Sequence, residues 1–331
     1  MHPNISVQIP PACHHPTPYI STRSKIASTM GIGLPHLKNP GYAFIAIALL
    51  VCTPATLGYM ALEGQSSSVT TLSFDDAPEG VVFIADPHLR AETIDHTRRM
   101  IQEINALHPS VVLIGGDFVY DEEADLSLQQ VWQEIDAPVY AVLGNHDYRS
   151  GTDAFSGLER VAAIKETTRT AAGYDMSTLR DGTADVAFAD SVEAELEKNG
   201  VTVLRNEYVT LDIDGSRLRI VGVDDGWAGM ADPPAVPEDD DAFTIYMIHE
   251  PECRADWDAD LILAGHTHGG QVMIPGVKDL NDRGVIELSG LIQKGGAPVY
   301  ISRGIGTSNL RTDLRFNAPP EIVVIGPAGT I

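Results

Sequence analysis

The stretch VVFIADPH at residues 81–88 runs from an apolar segment directly into two side chains that can bind a metal ion, Asp86 and His88. A short apolar run without polar alternation is typical of a strand that is buried on both faces. Residues 92–107 then place apolar side chains at helical spacing, and a second apolar run follows at 111–115. Strand, helix and strand in this order predict a crossover between parallel strands.

The same join between an apolar run and a polar cluster recurs four times further along the chain. The runs at 111–115, 139–143, 244–248 and 261–264 lead into Gly116-Asp117, Gly144-Asn145-His146-Asp147, His249, and Gly265-His266-Thr267-His268-Gly269-Gly270. Ligands of open α/β sheets gather at the carboxyl ends of strands, so we expect these side chains to meet. Oxygen and imidazole ligands in this number indicate a site for two metal ions.

The local spacing predicts which side chains approach the same ion. In an extended chain residues i and i+2 face the same way, so Asp86 pairs with His88, and His266 with His268. Five of the seven histidines beyond residue 80 fall in the clusters, which is hard to explain by structural roles alone. Glycines beside the clusters let the backbone turn sharply next to the ions.

The rest of the chain predicts an α/β fold, a layered sandwich of two mixed sheets with helices outside. Short strands are expected at 201–204, 208–213 and 218–223, and others at 299–302 and 322–325. Residues 151–187 interrupt the pattern with Thr, Ala, Gly and Asp. They are an insertion that is either a lid or a solvated connection without a role.

The N-terminal region predicts a membrane anchor. Residues 42–62 are 21 residues without a charge, and at about 1.5 Å per residue such a helix spans a bilayer of about 30 Å. Residues 1–41 form a basic tail, 63–79 a polar, serine-rich linker, and 80–331 the catalytic domain. The bases precede the apolar segment, so the positive-inside rule puts the N-terminus in the cytoplasm and the catalytic domain outside.

Two alternatives to the anchor stay open. Translation from Met30 would make the segment a cleaved signal peptide, which implies a secreted or periplasmic enzyme. Cys52 is also a candidate lipoprotein cleavage site, although Val51 is bulky where a small residue is usual. All three interpretations place the catalytic domain on the far side of the membrane.

Composition excludes several classes of function. Beyond residue 62 there are 46 acids and 19 bases, a net charge of −27, which opposes binding to a nucleic acid. Only Cys253 lies in this part, so it has no internal disulfide framework. No Gly-x-Ser-x-Gly elbow is present, and the Gly304-x-Gly306 pair lacks the third glycine of a dinucleotide fingerprint.

The series D-x-H, G-D, G-N-H-D, H and G-H-x-H resembles the calcineurin-like metallophosphoesterase family, over roughly residues 80–326. The segments GHTHGGQ at 265–271, YISRGIGTS at 300–308 and PPEI at 319–322 further resemble its membrane-associated bacterial branch. The resemblance implies an αββα sandwich. It also implies a phosphodiesterase or, as in some relatives, a pyrophosphatase that cleaves UDP-diacylglucosamine.

The resemblance also implies residue roles, carried over by matched position. The first metal is expected on Asp86, His88 and His268, the second on Asn145, His249 and His266, and Asp117 bridges both. His146 would face the substrate and protonate or stabilise the leaving oxygen, with Asp147 as its orienter. Without cysteine ligands, the two divalent ions are Mn, Fe or Zn, and hydroxide bridging them is expected to attack without a phosphoenzyme.

Substrate recognition is predicted from a local excess of bases. Residues 278–315 hold six bases and four acids, which suggests that Arg303, Arg311 and Arg315 bind an anionic phosphoester, for which a lipid-linked substrate is one option. The alternative is that these arginines pair with acids such as Glu321. We predict a monomeric, membrane-anchored hydrolase of phosphodiesters or pyrophosphates. Its rivals are a lipid-linked nucleotide pyrophosphatase and a non-catalytic binding module that keeps the fold.

Overall fold

Two six-stranded mixed sheets form the body of the molecule. The computed structural model describes residues 40–120, 124–237, 241–294, 296–307 and 313–327, with the backbone alone for residues 40–49 and 154. The α-helices are α1 Pro40–Gly64, α2 Ile94–Ala106, α3 Ala154–Ala163, α4 Val186–Lys198 and α5 Pro275–Asp282. The strands are β1 Ser68–Ser73, β2 Val81–Ile84, β3 Val111–Gly115, β4 Val139–Val142, β5 Val201–Val203, β6 Glu207–Ile213, β7 Ser216–Gly222, β8 Phe243–Met247, β9 Leu261–Ala264, β10 Gly290–Ile292, β11 Val299–Ile301 and β12 Glu321–Gly326.

The order of the strands brings all five polar clusters to one edge of the two sheets. The first sheet has the order β1-β12-β2-β3-β4-β5, in which β2 to β5 are parallel, and β12 runs antiparallel to β2. The second has the order β10-β11-β9-β8-β7-β6, with β11, β9, β8 and β7 parallel. The predicted class, two mixed sheets in an α/β fold, is confirmed.

Continuous apolar strands are required because the first sheet is covered on both faces. In β3, Val111 and Leu113 pack between the two sheets, whereas Val112 and Ile114 pack against the layer that contains α2 and α4. This two-residue alternation inside an all-apolar run is the expected pattern for a doubly covered parallel strand.

The insertion at 151–187 packs on the outer face of the second sheet. Its residues Ile164, Met176 and Leu179 are buried in one cluster with Trp227 and Trp257. The segment consists of α3, three short 3-10 turns and the start of α4. It is therefore a packed layer of the domain, and whether it also gates the site stays a prediction.

The linker predicted at 63–79 is contradicted by the structure. Within it, β1 pairs in parallel register with β12 and forms the edge of the first sheet. The sequence SVTTLS alternates partly buried and exposed side chains, and such a polar edge strand resembles a tether in composition. The folded body thus extends N-terminally of Gly80.

Helix α1 covers the segment for which a membrane anchor is predicted, and the compact body begins within it, at Cys52. Among the residues that the structure describes, none of the helices has both the length and the apolar character needed to cross a bilayer. The anchor stays a prediction.

Candidate metal centre

Seven side chains from five strand ends converge at the carboxyl edge of the sheets. Six of them are at most 2% exposed, and the seventh, His266, is half-buried. They are Asp86 after β2, Asp117 after β3, Asn145 after β4, His249 after β8, and His266 after β9, joined by His88 and His268. The predicted convergence of these residues is thus present in the structure.

The backbone that produces this convergence differs from the prediction. Asp86 and His88 have φ of 52° and 41°, and His266 and His268 have φ of 69° and 51°, so neither pair lies on an extended chain. Left-handed conformations cost non-glycine residues of order 1–3 kcal/mol and persist where the surrounding structure imposes them. Here the loop after β2 pairs with the loop after β3, since the His88 amide donates to the Asp117 carbonyl at 2.9 Å.

One set of side chains gathers around Asp86. His88 Nε2 lies 3.1 Å from His268 Nε2, and His268 Nε2 lies 3.5 Å from Asp86 Oδ1. Because His88 Nδ1–H donates to the Val119 carbonyl at 2.9 Å, its Nε2 carries a lone pair. Two imidazole nitrogens this close to a carboxylate are suited to share a cation.

A second set gathers around His249 and His266. His266 Nδ1 lies 3.0 Å from Asn145 Oδ1, and His249 Nε2 lies 3.2 Å from Asp117 Oδ2. His249 Nδ1–H donates to the Gly115 carbonyl at 2.7 Å, which leaves Nε2 as a buried atom without a hydrogen-bond partner. A buried lone pair directed at a carboxylate is satisfied by a divalent cation, so the donor set fits a metal.

Asp117 lies between the two sets. Its Oδ1 accepts a hydrogen bond from the His146 amide at 2.9 Å, whereas Oδ2 is 3.3 Å from His88 Nε2 and 3.2 Å from His249 Nε2. Burial alone would raise the pKa of Asp117, but the surrounding imidazoles of His249, His146 and His88 hold it well below its usual value. One oxygen of this carboxylate can therefore contact an ion in either set.

Glycines make this approach feasible. A Cβ on Gly144 would collide with Asp117 Oδ1, and a Cβ on Gly116 would lie 2.8 Å from His249 Nδ1. Gly116 also has φ of +89°, which favours glycine.

His146 lies beside the centre and is half-buried. Its ring centroid is 4.7 Å from that of His88, and its Nδ1–H donates to the Tyr120 carbonyl at 3.0 Å. Burial lowers the pKa of His146 to about 4, against the opposing effect of Asp117. Nε2 is thus the nitrogen left for a substrate.

The prediction that Asp147 orients His146 is contradicted by the structure. The Asp147 carboxylate accepts hydrogen bonds from four backbone amides, those of Asp117, Phe118, Val119 and Gly144, at 2.9–3.2 Å. It therefore fixes the loops after β3 and β4, and the Tyr120 carbonyl orients His146.

The arginines predicted to bind substrate have other partners. Arg315 is fully buried and donates to the carbonyls of Arg303, Gly304, Gly306 and Ala318. Arg303 contacts Glu321 Oε1 at 2.7 Å, Ser68 Oγ at 2.9 Å and the Pro319 carbonyl at 3.1 Å. The alternative of pairing with Glu321 is thus correct for Arg303, and Arg311 lies outside the described residues.

Two groups at the centre were missed by the sequence argument. The Trp227 ring lies 4.4 Å from the His266 ring, and Asp225 is buried near Glu250, beside His249, where burial and Glu250 raise its pKa well above the usual range. Both follow β7, whose polar carboxyl end, Asp224-Asp225, has the pattern of the other strand ends and was the available signal.

The comparisons with known proteins agree with this geometry. The sequence profile of the calcineurin-like phosphoesterase family matches residues 80–270. The metallophosphoesterase YkuE of Bacillus subtilis, described as uncharacterized, is 29% identical over 74% of this chain and 77% of its own length. The phosphodiesterase YaeI of Escherichia coli is 26% identical over 92% and 96%. The UDP-2,3-diacylglucosamine pyrophosphatase LpxG of Chlamydia trachomatis is 26% identical over 74% and 82%.

Proposed function

The chain belongs to the calcineurin-like phosphoesterase family and is a phosphoester hydrolase, and we propose that it cleaves phosphodiester or pyrophosphate bonds at a centre of two divalent metal ions. The position of Asp117 Oδ2, nearly equidistant from one imidazole of each set, is the observation that carries the proposal. A carboxylate shared in this way is what a two-metal hydrolase needs.

Each proposed ligand set has four members. Asp86, His88 and His268 hold one ion, Asn145, His249 and His266 hold the other, and Asp117 completes both sets. When bound, the two ions supply Lewis acidity toward a phosphoryl oxygen and lower the pKa of water. Mn, Fe and Zn all suit these oxygen and nitrogen donors.

His146 is proposed to manage the proton of the leaving group. With Nδ1–H held by the Tyr120 carbonyl, Nε2 is the atom that faces a substrate. An anionic phosphoryl group nearby favours the charged imidazolium, which offsets the lowering by burial. The proton on Nε2 then passes to the leaving oxygen.

The membrane is proposed as the site of action, with the catalytic domain on the extracytoplasmic side. The uncharged residues 42–62, preceded by three bases and followed by acids, support this topology. A periplasmic reporter enzyme fused to the C-terminus should be active in a bacterial host. Activity of a cytoplasm-dependent reporter at the same position would contradict the topology.

Hydrolysis can be tested on the full chain in detergent micelles after the metals are removed with a chelator. With Mn²⁺ restored, bis-p-nitrophenyl phosphate should be hydrolysed faster than p-nitrophenyl phosphate, and Asp117→Asn should lose this turnover. Asp95→Asn is the matched control, because Asp95 is exposed on α2. Turnover that survives chelation, or equals the wild type in Asp117→Asn, would refute the two-metal proposal.

A lipid-linked pyrophosphate is the second candidate substrate, favoured by the similarity to LpxG. The discriminating measurement compares UDP-2,3-diacylglucosamine with the soluble diester at equal concentration. Release of UMP at a kcat/KM well above that of the diester would identify a pyrophosphatase. The proposed outward topology argues instead for an envelope phosphoester, for which the nucleotide substrate should be poor.

A further inference from the structure

Outside α1, eight of the twelve large exposed hydrophobic side chains among the described residues lie in the two segments that follow β4 and β9 in the chain. In α3, Phe155 is 83% exposed, and Leu158 and Val161 are exposed beside it at helical spacing; these three form the α3 surface. The α5 surface consists of exposed apolar side chains on and around α5, namely Val272, Ile274, Leu280, Val285 and Leu291. Exposed apolar patches of this kind mark interaction sites.

The α5 surface is attached to a loop of the metal centre. Thr267, between His266 and His268, donates its hydroxyl to the Leu288 carbonyl at 2.5 Å. Asn281 Oδ1 accepts the amide of Leu288 at 2.8 Å and so ties α5 to the same turn. The apolar side chains on α5 are thereby held in a fixed relation to the proposed ligands.

The α3 surface reaches the centre through Trp227. Gly157 of α3 lies against this ring, since a Cβ placed on it would be in ordinary contact with Trp227 Cη2 at 3.6 Å, and a Cβ on Gly151, just before α3, would collide with Trp227 Cε3 at 2.5 Å. The other side of the contact is His266, whose ring is 4.4 Å from that of Trp227. Two apolar surfaces are therefore connected to the same ligand, one through Trp227 and one through Thr267.

The α5 surface also adjoins the C-terminal part of α1. The Tyr59 ring lies 5.8 Å from the Phe316 ring, and the Phe316 backbone pairs with Gln271 and Met273, with N–O distances of 2.9 and 2.7 Å. On the same stretch of α1, Leu57 and Leu62 are exposed, the latter by 76%. The apolar α5 surface is thus continuous with an apolar helix.

The charge around the α5 surface indicates which kind of surface it can contact. Residues 272–294 hold three bases and three acids, within a body whose net charge is −27. A zwitterionic surface is complementary to a neutral apolar patch, whereas an anionic one would be repelled by the surrounding acids.

We propose that the α3 and α5 surfaces rest in the headgroup region of a phospholipid bilayer, so that the metal centre opens at the level of the lipid phosphates. The contact itself follows from the exposed side chains and their continuity with α1. That the centre hydrolyses phosphoesters presented there rests on the proposed function.

The test places one fluorophore at a time on the full chain. Val285→Cys and Leu158→Cys are labelled with an environment-sensitive dye in a Cys13→Ser, Cys52→Ser background, because Cys52 is exposed and Cys253 is buried. Leu107→Cys is the matched control, since Leu107 is exposed and precedes β3 at the opposite edge of the sheet. Each protein is reconstituted in phosphatidylcholine nanodiscs with or without spin-labelled lipid.

We expect quenching at 285 and 158 but not at 107, stronger with a label near the headgroup than at mid-chain, because surface helices bury only about 5–10 Å deep. Quenching at 285 and 158 no greater than at 107 would overturn the contact. A spectral shift that follows protein concentration and ignores quencher lipid would assign the surface to a second copy instead. Turnover of the soluble diester in the same nanodiscs separates the two claims. Quenching without turnover would count against the proposed diester activity and leave the bilayer contact standing, whereas turnover without quenching would refute only the bilayer contact.

Discussion

The strand-end clusters and the basic segment at 278–315 are both predicted from sequence to be functional, but their side chains have different surroundings in the structure. Residues from five strand ends meet within hydrogen-bond distance of one another at the candidate metal centre. Arg303 and Arg315, from the basic segment, bind the protein's own carbonyls and Glu321. The sheet fixes where a strand ends, so a ligand placed there has little freedom. The long, flexible side chain of an arginine on a loop binds whichever acceptors lie within its reach. The sequence does not specify which acceptors these are.

The largest effect is expected at Asp117, where the two ligand sets join. Asp117→Asn removes the charge that both proposed cations would share, so turnover of the diester should fall by several orders of magnitude while the fold is kept. Removing a residue that only hydrogen-bonds to a metal ligand already lowers metal affinity or activity by about 10–100-fold. Metal content by elemental analysis and thermal unfolding should accompany the assay. Near-normal turnover in this variant would contradict the proposal that the residues at the strand ends form one catalytic site.

Arg315 should show the opposite profile, a loss of stability without a loss of substrate affinity. Burial lowers the pKa of its guanidinium only to about 10, so the side chain is charged at neutral pH. Arg315→Met leaves four carbonyls without this donor, of which those of Gly304 and Ala318 are buried. Each buried carbonyl costs about 1–3 kcal/mol, so the free energy of unfolding should fall by at least about 2 kcal/mol. Denaturant unfolding measures this loss.

The KM for the diester at low temperature is the second readout for Arg315→Met. The KM of the folded Arg315→Met protein should equal that of the wild type. A raised KM with unchanged stability would instead support a substrate-binding role for Arg315. The basic segment would then be functional in the same way as the strand ends.

His146 tests whether proximity to the ligands means ligation. His146→Gln should lower kcat by about 100-fold, equivalent to about 2.7 kcal/mol, because general acid catalysis contributes at least that much. Both metals should stay bound, since the ring is held by the Tyr120 carbonyl outside either set. Loss of one metal equivalent would make His146 a ligand and enlarge the cluster.

Much of the fold was predictable because burial on both faces leaves a clear trace in apolar runs such as 81–85 and 111–115. The identity of the converging residues followed from their place after those runs. The left-handed backbone at Asp86 and His88 was not predictable, since nothing in the tripeptide Asp-Pro-His requires it. Strand β1 was missed because an exposed edge strand tolerates polar residues, and the role of Asp147 because its partners are backbone amides.

The smallest effect, and the sharpest test of the comparison, is expected at Arg303. Its side chain is 22% exposed and pairs with Glu321, which keeps three other donors, the hydroxyls of Tyr300 and Thr70 and the Arg303 amide. Arg303→Met should therefore lower the free energy of unfolding by only about 1–2 kcal/mol, with KM unchanged.

A double-mutant cycle with Glu321→Gln decides between the two roles of Arg303. If the arginine only pairs with Glu321, its replacement in the Glu321→Gln background should cost much less stability than in the wild type, because the shared interaction is already gone. A substrate role would instead raise KM by the same factor in both backgrounds. That second outcome would mean that the local excess of bases did identify a substrate-binding residue. Functional residues on loops would then be predictable from sequence, only less reliably than those at strand ends.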